Sequence, residues 1–239
     1  MMVVMMITDT TKWQGEFIQV SAGRLHSCGI TIDETVECWG VGSAVTSPEG
    51  LFVQISSGDF HSCGILKDET LQCWGTTVSG IATPPPGRFI QVSCGKDFSC
   101  ALKSDGSVQC WGENSRGQLH VPEGVQFRQV SASPGDFVCG VTVDNDVVCW
   151  GDNTRGQLNP PSETQFTLVS TSRFGACGLK TIACWGMRSG VTAAPTTVKF
   201  DELSLGWNHG CGIRYDDGAV QCWGDSSSDR LAIPAALRT

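Results

Sequence analysis

The chain repeats one pattern six times, and its first copy is Ser27-Cys28-Gly29-Ile30-Thr31-Ile32-Asp33-Glu34-Thr35-Val36-Glu37-Cys38-Trp39-Gly40. The pattern predicts a β-hairpin that reverses at Asp33. In such a hairpin Cys28 lies opposite Cys38, and Ile30 lies opposite Val36. Directly opposed residues have Cβ atoms about 4.5–5.5 Å apart, which is close enough for a disulfide bond. The stretch therefore predicts a small hairpin closed by a disulfide.

Five further cysteine pairs extend this prediction along the chain. They are Cys63 with Cys73, Cys100 with Cys110, Cys139 with Cys149, Cys177 with Cys184, and Cys211 with Cys222. The chain has 13 cysteines, too many for an ordinary cytosolic protein, and no Cys-x-x-Cys sequence that would indicate a zinc or thioredoxin-like site. The pairs therefore predict an oxidising compartment. Cys94 is left over at a position of small residues, so we expect a buried, unreactive thiol rather than an intermolecular link.

The tryptophan of each Cys-Trp-Gly sequence lies on the opposite face of the hairpin from the cysteines. The residue opposite it and the residue after each first cysteine are mostly small, as Ser27 and Gly29 are in the first copy. We therefore expect each indole to lie across its hairpin and to contact the neighbouring repeat. Carbohydrate stacking on these tryptophans is the alternative interpretation.

Composition favours an all-β protein that does not bind nucleic acid. Charged residues make up only 17% of the 239 residues, glycine is abundant at 29, and helix signatures are scarce. The formal net charge is −8 and no run of lysine and arginine is present, which argues against a nucleic-acid interface. The apolar residues 1–7 are too few for a signal peptide or a membrane span, so we expect the chain to be either truncated or mature at this end.

The copies recur at the period of propeller blades, with tryptophan spacings of 35, 37, 39, 35 and 38 residues. Each repeat divides into an extended stretch, the two hairpin strands and a looser segment that ends in proline, and four-stranded units around an axis make a β-propeller. We predict one β-propeller domain, residues 1–239, with repeats at about 16–50, 51–87, 88–124, 125–163, 164–197 and 198–239. We expect the partial repeat 1–15 to close a six-bladed ring against residues 225–239; a truncated seven-bladed propeller is the alternative.

This repeat resembles that of a known superfamily. The residues that carry the likeness are Val92-Ser93-Cys94-Gly95, Cys100-Ala101-Leu102, Asp105-Gly106-Ser107-Val108-Gln109-Cys110-Trp111-Gly112 and Asn114-Ser115-Arg116-Gly117-Gln118-Leu119. The pattern resembles the repeat of the regulator of chromosome condensation superfamily, which includes bacterial β-lactamase inhibitor proteins and the cysteine-bearing ectodomains of Crinkly-type plant receptor kinases. The resemblance covers essentially the whole chain and implies a propeller that binds partners through its loop faces. It implies no particular function, because unrelated binding proteins use this scaffold.

The hairpin turns are expected to share one face of the propeller, and they are rich in carboxylates. We call this set the acidic rim: Asp33, Glu34, Asp68, Glu69, Asp105, Asp144, Asp146, Asp216 and Asp217. Ordinary turn chemistry accounts for such residues, since aspartate favours chain reversals. The functional alternatives are docking of a basic partner and binding of a divalent cation such as calcium.

The opposite face is formed by the turns after the first strands and by the loops after Cys-Trp-Gly. We call the following set the loop face: Arg24, Phe60, Lys96, Phe98, Arg116, Phe137, Arg155, Arg173 and Trp207. Exposed aromatic and arginine side chains are the usual anchors of protein interfaces, so this face is the candidate site for a protein partner.

Three histidines, His26, His61 and His209, precede the first cysteine of their repeats by two residues. A shared zinc ion would need ligand atoms about 2 Å away, whereas equivalent atoms of packed sheets lie about 10 Å apart. Phe98 and Phe137 occupy the same position in other repeats, so we expect these histidines to be structural.

No enzyme signature is present in the sequence, which lacks Gly-x-Ser-x-Gly, His-Glu-x-x-His, Walker and dinucleotide-binding motifs. We therefore predict a non-enzymatic, disulfide-stabilised propeller that binds a protein in the extracellular space or the secretory pathway, either alone or as part of a larger assembly or receptor. Two alternatives stay open. One is an intracellular nucleotide-exchange or chromatin regulator that binds a small GTPase or histones; the other is a carbohydrate-binding or hydrolytic propeller.

Overall fold

The computed structural model describes residues 17–162, 165–180, 182–186 and 194–224. The chain divides into two compact units, the first ending at Asn114 and the second beginning at Ser115. The predictions of ring closure and of blade number depend on residues 1–15 and 225–239, which lie outside the described residues. They stay predictions, as does the single-domain organisation.

The first unit contains three antiparallel sheets of three strands, which we call blades 1 to 3. Their strands are β1 (Phe17–Ala22), β2 (His26–Thr31), β3 (Val36–Gly40), β4 (Phe52–Ser57), β5 (His61–Leu66), β6 (Leu71–Gly75), β7 (Gln91–Cys94), β8 (Phe98–Leu102) and β9 (Val108–Gly112). Short 3₁₀ turns at Ser43–Val45 and Val78–Gly80 follow the hairpins of blades 1 and 2.

The second unit contains three more sheets of the same kind, blades 4 to 6. Their strands are β10 (Phe127–Ala132), β11 (Phe137–Thr142), β12 (Val147–Gly151), β13 (Leu168–Thr171), β14 (Gly175–Leu179), β15 (Ala183–Gly186), β16 (Phe200–Leu205), β17 (His209–Arg214) and β18 (Val220–Gly224). In every blade the strands are hydrogen-bonded in sequence order. No helix of the described residues is long and apolar enough to cross a membrane.

The hairpin prediction is confirmed in all six repeats. In the first copy Cys28 pairs with Cys38 and Ile30 with Val36 across β2 and β3. All six predicted disulfides are formed, with Cα atoms 4.0–4.1 Å apart. They join Cys28 to Cys38, Cys63 to Cys73, Cys100 to Cys110, Cys139 to Cys149, Cys177 to Cys184, and Cys211 to Cys222. The length of the turn therefore varies between repeats while the opposed cysteines stay in register.

The two cysteines of a disulfide differ in burial. The first cysteine of each of the first five pairs is fully buried. The second cysteines, on the third strand of each blade, are only partly buried: Cys38, Cys73, Cys110, Cys149, Cys184 and Cys222. Each disulfide therefore ties a partly exposed third strand to the buried middle strand of its blade.

In five of the six repeats a glycine follows the first cysteine, and it makes room for a phenylalanine, not for the indole as the sequence had suggested. A Cβ atom at Gly64 would lie 2.5 Å from the ring of Phe52, the first residue of β4. A register shift between Phe52 and Gln54 accompanies this placement, and such bulges re-aim side chains. The Phe52 ring then packs edge-on against Trp74 of the same blade, with centroids 5.9 Å apart.

The indoles still reach the neighbouring repeat, as predicted. Three of the Nε1 atoms donate to carbonyl oxygens at the end of the preceding repeat: Trp111 to Ile81 (3.0 Å), Trp150 to Gln118 (3.0 Å) and Trp185 to Gln157 (2.9 Å). Five of these six tryptophans are buried. Trp111, Trp150 and Trp185 therefore each join two repeats, and the burial of five of the six indoles leaves little of them for a sugar ligand.

The prediction of a fourth strand in each blade is wrong for the described residues, where every sheet has three strands. The segments after the hairpins form turns instead, with positive φ angles at Gly117 (79°) and Gly156 (78°). Pro84, Pro85 and Pro86 lack the N–H groups that a ladder needs. Three of these segments are held by one hydrogen bond from an indole N–H, and not by the backbone hydrogen bonds of a strand pair.

The hydrophobic core lies between adjacent blades of a unit. One cluster joins Cys63 and Ile65 of blade 2 to Phe89, Val92 and Trp111 of blade 3. Similar clusters join blades 1 and 2, blades 4 and 5, and blades 5 and 6. Because first cysteines are members of these clusters, the disulfides belong to the apolar layer between blades.

Amide side chains connect the first strands of successive blades. Gln54 Oε1 accepts a hydrogen bond from Val92 N at 2.7 Å, and its Nε2 donates to Val92 O at 2.9 Å. Gln129 makes the same pair of bonds with Val169, at 3.0 and 2.9 Å. These side chains satisfy backbone groups on the strand edge that faces the preceding blade.

Candidate functional site

The loop face is built by one recurring backbone hydrogen bond. The residue after Cys-Trp-Gly donates its N–H to a carbonyl in the turn after the first strand: Val41 to Leu25 (2.9 Å), Thr76 to Phe60 (3.0 Å), Glu113 to Asp97 (2.9 Å) and Asp152 to Asp136 (3.0 Å). The two loops at this end of a blade are therefore held side by side. Their side chains project from a rigid sheet, as binding loops commonly do.

In the first unit the loop face contains a cleft of about 380 Å³. Its lining includes Asp59, Phe60 and Asp97 from the first turns, and Val41 and Val78 from the loops after Cys-Trp-Gly. Both valines are 70% exposed and Phe60 is 38% exposed, whereas Asp59 is only 5% exposed. An aromatic ring, two carboxylates and exposed aliphatic groups thus meet in one place.

Two predicted loop-face cations lie beside this cleft. The Arg24 guanidinium is 5.5 Å from the centroid of the Phe60 ring, and its Nη1 is 3.7 Å from Asp59 Oδ2. Lys96 Nζ is 3.1 Å from Asp97 Oδ2. The structure therefore brings the predicted residues Arg24, Phe60 and Lys96 to the same part of the first unit.

In the second unit the loop face carries a stack of arginine and aromatic side chains. The Arg173 guanidinium is 5.0 Å from the centroid of the Phe174 ring and 4.2 Å from that of the Trp207 ring. Arg155 lies 4.4 Å from the centroid of Phe174. Such cation–π contacts fix the guanidinium planes while leaving their edges for hydrogen bonds. Trp207 remains 38% exposed, so part of its ring faces solvent.

The Asn-x-x-Gly-Gln-Leu sequence shapes the loops that present Arg116 and Arg155. Gln157 Oε1 accepts a hydrogen bond from the backbone N of Arg155 at 2.8 Å, and Gln118 Oε1 accepts one from Arg116 at 2.9 Å. Both glutamines are buried, at 1% and 0% exposure. The buried glutamines of this sequence therefore have a structural role, and they fix the backbone of the loops from which Arg116 and Arg155 project.

Phe98 and Phe137 do not belong to the loop face, and their inclusion in it was wrong. Both are fully buried, as the first residues of β8 and β11. The reason is register, since each occupies the position of His61, whose side chain points into the layer between blades. Phe60 lies one residue earlier in its repeat, and a shift of one residue moves a side chain to the other side of a strand.

The histidines His26 and His61 are structural, as expected. His26 Nε2 is 2.7 Å from Ser62 Oγ, and His61 Nε2 is 2.7 Å from Ser99 Oγ, so each joins one blade to the next. Burial lowers the pKa of His61 to about 4, which keeps it neutral at pH 7. Cys94 is also buried, and burial raises the pKa of its thiol to about 11.

Turn chemistry accounts for much of the acidic rim. Asp68 Oδ1 accepts hydrogen bonds from Thr70 Oγ1 (2.6 Å) and Thr70 N (3.0 Å), and these bonds lower the pKa of the carboxyl. Asp105 makes the same contacts with Ser107, at 2.6 and 2.9 Å, with the same effect on its pKa. The two carboxylates therefore cap their own hairpin turns.

Basic side chains also pair with rim carboxylates. The pairs are Lys67 with Glu34, Arg88 with Glu69 at 3.6 Å, and Arg214 with Asp216 at 2.7 Å and Asp217 at 3.4 Å. Within the described residues, no three rim carboxylates converge as a metal site requires. The one convergent group there is His61, Cys63 and Cys94, and Cys63 is held in a disulfide with Cys73. The structure thus gives the suggested calcium ion no coordinating cluster among these residues.

Sequence reasoning missed the exposed aliphatic residues at the cleft. Val41 and Val78 line it and are each 70% exposed. One signal was present, because Val41 occupies the position of Glu113 and Asp152 directly after Cys-Trp-Gly. An apolar residue at a position that is otherwise polar marks a candidate contact surface.

Four segments of the chain match the Regulator of chromosome condensation (RCC1) repeat, namely residues 52–80, 89–118, 127–157 and 200–229, together about half of the chain. A 57-residue stretch is 33% identical to the serine/threonine-protein kinase-like protein CCR4 of Arabidopsis thaliana. That match covers 24% of this chain and spans only 7% of the length of the kinase.

Solved structures give the same result over nearly the whole chain. The CRINKLY WD40 ectodomain of the Arabidopsis thaliana receptor kinase ACR4 is 30% identical, with a TM-score of 0.75 over 90% of this chain and 81% of that one. The ectodomain of the Physcomitrella patens receptor kinase CR4 is 26% identical, with a TM-score of 0.78 over 89% and 62%. Prp20p from Saccharomyces cerevisiae shares the fold alone, with a TM-score of 0.79 at 15% identity over 94% and 75%. The β-propeller fold class and the resemblance drawn from the sequence are both confirmed.

Proposed function

This chain belongs to the regulator of chromosome condensation (RCC1) repeat family, and on that premise we propose that it is a non-enzymatic protein-binding module of an extracellular or secretory-pathway assembly. The observation that carries the proposal is the stack in the second unit, where Arg173 contacts the rings of both Phe174 and Trp207. Arginine and tryptophan are among the residues that most often dominate the binding energy of protein interfaces.

The stack is suited to binding because its members are already ordered. Arg173 is in cation–π contact with two aromatic rings, so it loses less side-chain entropy on contact than a solvated arginine does. It also places positive charge on the surface of a chain whose formal net charge is −8. This contrast favours a partner that brings acidic groups to the contact.

The relatives support binding as the function and the outside of the cell as its location. The ACR4 and CR4 domains are ectodomains of receptor kinases, and Prp20p is described with binding properties to Gsp1p and histones. The disulfide in each blade supports an oxidising compartment, since such bonds are rare in the cytosol.

The first test of the proposal is peptide-mass mapping of the natively produced protein without reductant. We expect the six disulfide-linked peptide pairs, with Cys94 as a free thiol. Thirteen free thiols would overturn the extracellular assignment and make an intracellular regulator the leading hypothesis. The fold would survive that result, because the cysteines are also small core residues.

The second test uses partner binding and matched variants. Extracellular proteins captured by the wild-type chain are identified, produced separately, and their affinities are measured by surface plasmon resonance. Arg173→Ala and Trp207→Ala should each weaken binding by about 30-fold, the effect of a loss of about 2 kcal/mol at a binding hot spot. The controls are Arg88→Ala and Tyr215→Ala, which remove an arginine that is 75% exposed in its side chain and a tyrosine that is 69% exposed, both outside the loop face.

Unchanged affinity in both stack variants would refute the proposal. A carbohydrate ligand is the alternative favoured by the exposed ring of Trp207, because sugars stack on such rings. If the ligand is a carbohydrate, Trp207→Ala should abolish binding to a glycan array, and glycosidase treatment of the captured partner should abolish its binding. If the ligand is a protein surface, Arg173→Ala should weaken binding and glycosidase treatment should leave it unchanged.

A further inference from the structure

A free thiol lies beside a disulfide bond in the core between blades 2 and 3. Among the described residues, Cys94 is the cysteine that forms no disulfide. Its Sγ atom lies within 4.8 Å of the Sγ atom of Cys63, which is bonded to Cys73. Cys63 and Cys94 belong to the same apolar cluster. A thiol and a disulfide in such proximity are the two reactants of thiol–disulfide exchange.

The burial of the three sulfur-bearing residues indicates which bond would be exchanged. Cys63 is fully buried next to Cys94, whereas Cys73 on β6 is only partly buried. Attack of Cys94 on Cys63 would release Cys73 on a strand that solvent reaches in part. Water stabilises a leaving thiolate there better than the core does, because burial disfavours the charged form.

Ser99 and His61 hold the Cys94 thiol in position. Ser99 Oγ donates a hydrogen bond to Cys94 Sγ at 3.4 Å and lies 3.8 Å from Cys63 Sγ. His61 Nε2 is 2.7 Å from Ser99 Oγ. The buried Nδ1 atom of His61 has no hydrogen-bond partner among the described residues. Nothing there opposes the tautomer in which Nε2 donates to Ser99, and this tautomer leaves the Ser99 proton for the sulfur.

The Ser99 hydrogen bond has a chemical effect because the thiolate is the nucleophile in exchange. Burial raises the pKa of the Cys94 thiol to about 11, and the hydrogen bond from Ser99 opposes this rise in part. The thiolate is therefore scarce at pH 7, so Cys94 and the Cys63–Cys73 bond persist side by side and exchange slowly.

The same arrangement without a thiol occurs between blades 1 and 2. Ser57 occupies the position of Cys94, and Ser62 Oγ donates to its hydroxyl at 3.0 Å. Ser62 Oγ also lies 3.7 Å from Cys28 Sγ and 2.7 Å from His26 Nε2. A serine thus satisfies the packing and hydrogen bonding of this position, and Cys94 adds a reactive group to it.

We propose that Cys94 exchanges with the Cys63–Cys73 disulfide and so makes Cys73 the reactive thiol of this chain, a site for a mixed disulfide with another molecule. Cys94 loses its proton to solvent, and its sulfur bonds to Cys63 Sγ. The Cys63–Cys73 bond breaks, its electron pair leaves on Cys73 Sγ, and that sulfur takes up a proton. One disulfide and one thiol are present before and after, so this step needs no oxidant or reductant.

The mixed disulfide forms in a second exchange with a disulfide of the other molecule. The Cys73 thiolate bonds to one sulfur of that disulfide, and the other sulfur leaves as a thiol. No loop-face residue takes part in either step, so the inference does not rest on the proposed function.

The test traps Cys73 as it is released. The disulfide-bonded protein is incubated at pH 9.5 with iodoacetamide, digested in acid without reductant, and mapped by peptide mass. The thiolate fraction is about thirtyfold higher at pH 9.5 than at pH 8, which is why the incubation is alkaline. We expect alkylated Cys73 together with a disulfide-linked peptide pair that contains Cys63 and Cys94. Alkylation is irreversible, so it draws the exchanged form out of the equilibrium even where that form is scarce.

The corresponding cysteines of other blades are internal controls. Cys38 and Cys149 are partly buried on third strands, as Cys73 is. They should be alkylated at least about tenfold more slowly than Cys73, because proximity of the attacking thiol accelerates the exchange. Circular dichroism at pH 9.5 verifies that the protein stays folded during the incubation.

Two variants then move the reaction between blades. Cys94→Ser, which copies Ser57, should abolish the alkylation of Cys73. Addition of Ser57→Cys to this variant places a thiol at the equivalent position beside Cys28, so alkylation should move to Cys38. The comparison of the wild-type chain with Cys94→Ser decides the question even if the double variant is unstable.

Three results would overturn the inference. One is alkylation of Cys73 no faster than that of Cys38 and Cys149 in the wild-type chain. Another is alkylation of Cys73 that persists in Cys94→Ser. The third is alkylation of Cys94 itself while the Cys63–Cys73 bond stays intact. The proposed function fails on a different measurement, namely unchanged partner binding in the loop-face variants, so the two failures are distinguishable.

Discussion

Replacement of Gln54 by leucine tests how successive blades are joined. The Gln54 side chain makes two hydrogen bonds with the backbone of Val92. Its Oε1 accepts from Val92 N at 2.7 Å, and its Nε2 donates to Val92 O at 2.9 Å. Val92 is 1% exposed, and these groups point away from β8, its own strand partner. Leucine has a similar size and is the natural residue at this position in blade 5, as Leu168. Gln54→Leu therefore removes the hydrogen bonds without introducing a foreign shape.

The expected loss follows from the two backbone groups left without a partner. Each unsatisfied buried group costs about 1–3 kcal/mol. Water reaches this half-buried position in part, and the added apolar burial offsets about 1 kcal/mol. We therefore expect Gln54→Leu to lower the free energy of unfolding by about 2 kcal/mol. Gln19→Leu should cost less, since one of its two bonds to Ile55 is longer, at 3.3 Å against 2.9 Å.

The assay is equilibrium unfolding in urea with the disulfides intact, followed by tryptophan fluorescence. The control is Gln72→Leu, which changes a half-buried glutamine of β6 that makes no amide bridge to the next blade among the described residues. It should change the free energy of unfolding by less than about 0.5 kcal/mol. The reasoning would be refuted if the free energy of unfolding of Gln54→Leu lay within about 0.5 kcal/mol of the wild-type value. It would also be refuted if Gln72→Leu lowered the free energy of unfolding as much as Gln54→Leu does.

Three further predictions concern single residues. Glu69 has a φ of 69° at the position where blade 3 has Gly106, so Glu69→Gly should raise the free energy of unfolding in urea by about 1 kcal/mol; a decrease would contradict this. His61 stays neutral when folded, with a pKa of about 4 against an ordinary 6.5, so stability should fall as pH drops from 6.5 towards 4, by up to about 3 kcal/mol. His61→Phe, which copies Phe98, should flatten that part of the profile, and an unchanged slope would count against burial as the cause. Cys94, with a pKa of about 11, should resist iodoacetamide at pH 8 and react as a single thiol in denaturant; labelling of the native protein would refute its burial.

The hairpins were predictable because their determinants are local. Opposed residues in an antiparallel pair follow from the position of the turn, so Cys28 and Cys38 were placed correctly from numbering alone. The tryptophans were only half predictable. Their contact with the next repeat followed from the repeat pattern, but the use of Gly64 to seat Phe52 depended on a bulge that has no sequence signal.

The candidate site was less predictable, and two phenylalanines show why. Phe60 and Phe98 both follow a first-strand turn, yet Phe60 is 38% exposed and Phe98 is fully buried. The burial of Phe98 could have been predicted, because Phe98 aligns with His61 and that position faces the layer between blades. The stack of Arg173 with Phe174 and Trp207 had no such signal, since its members come from turns of different repeats.

The repeat, the hairpin register, the disulfide pairs and the family could all be predicted from the amino-acid sequence. These features depend on spacing along the chain, because side chains alternate with a period of two along a β-strand and the repeats have nearly the same length. The folded structure was needed to show that three of the fourth segments are turns held by indole N–H groups, and that Val41, Asp59 and Phe60 line one cleft. These contacts join loops from different repeats, and the distance between such loops depends on how the sheets pack and not on their separation in sequence.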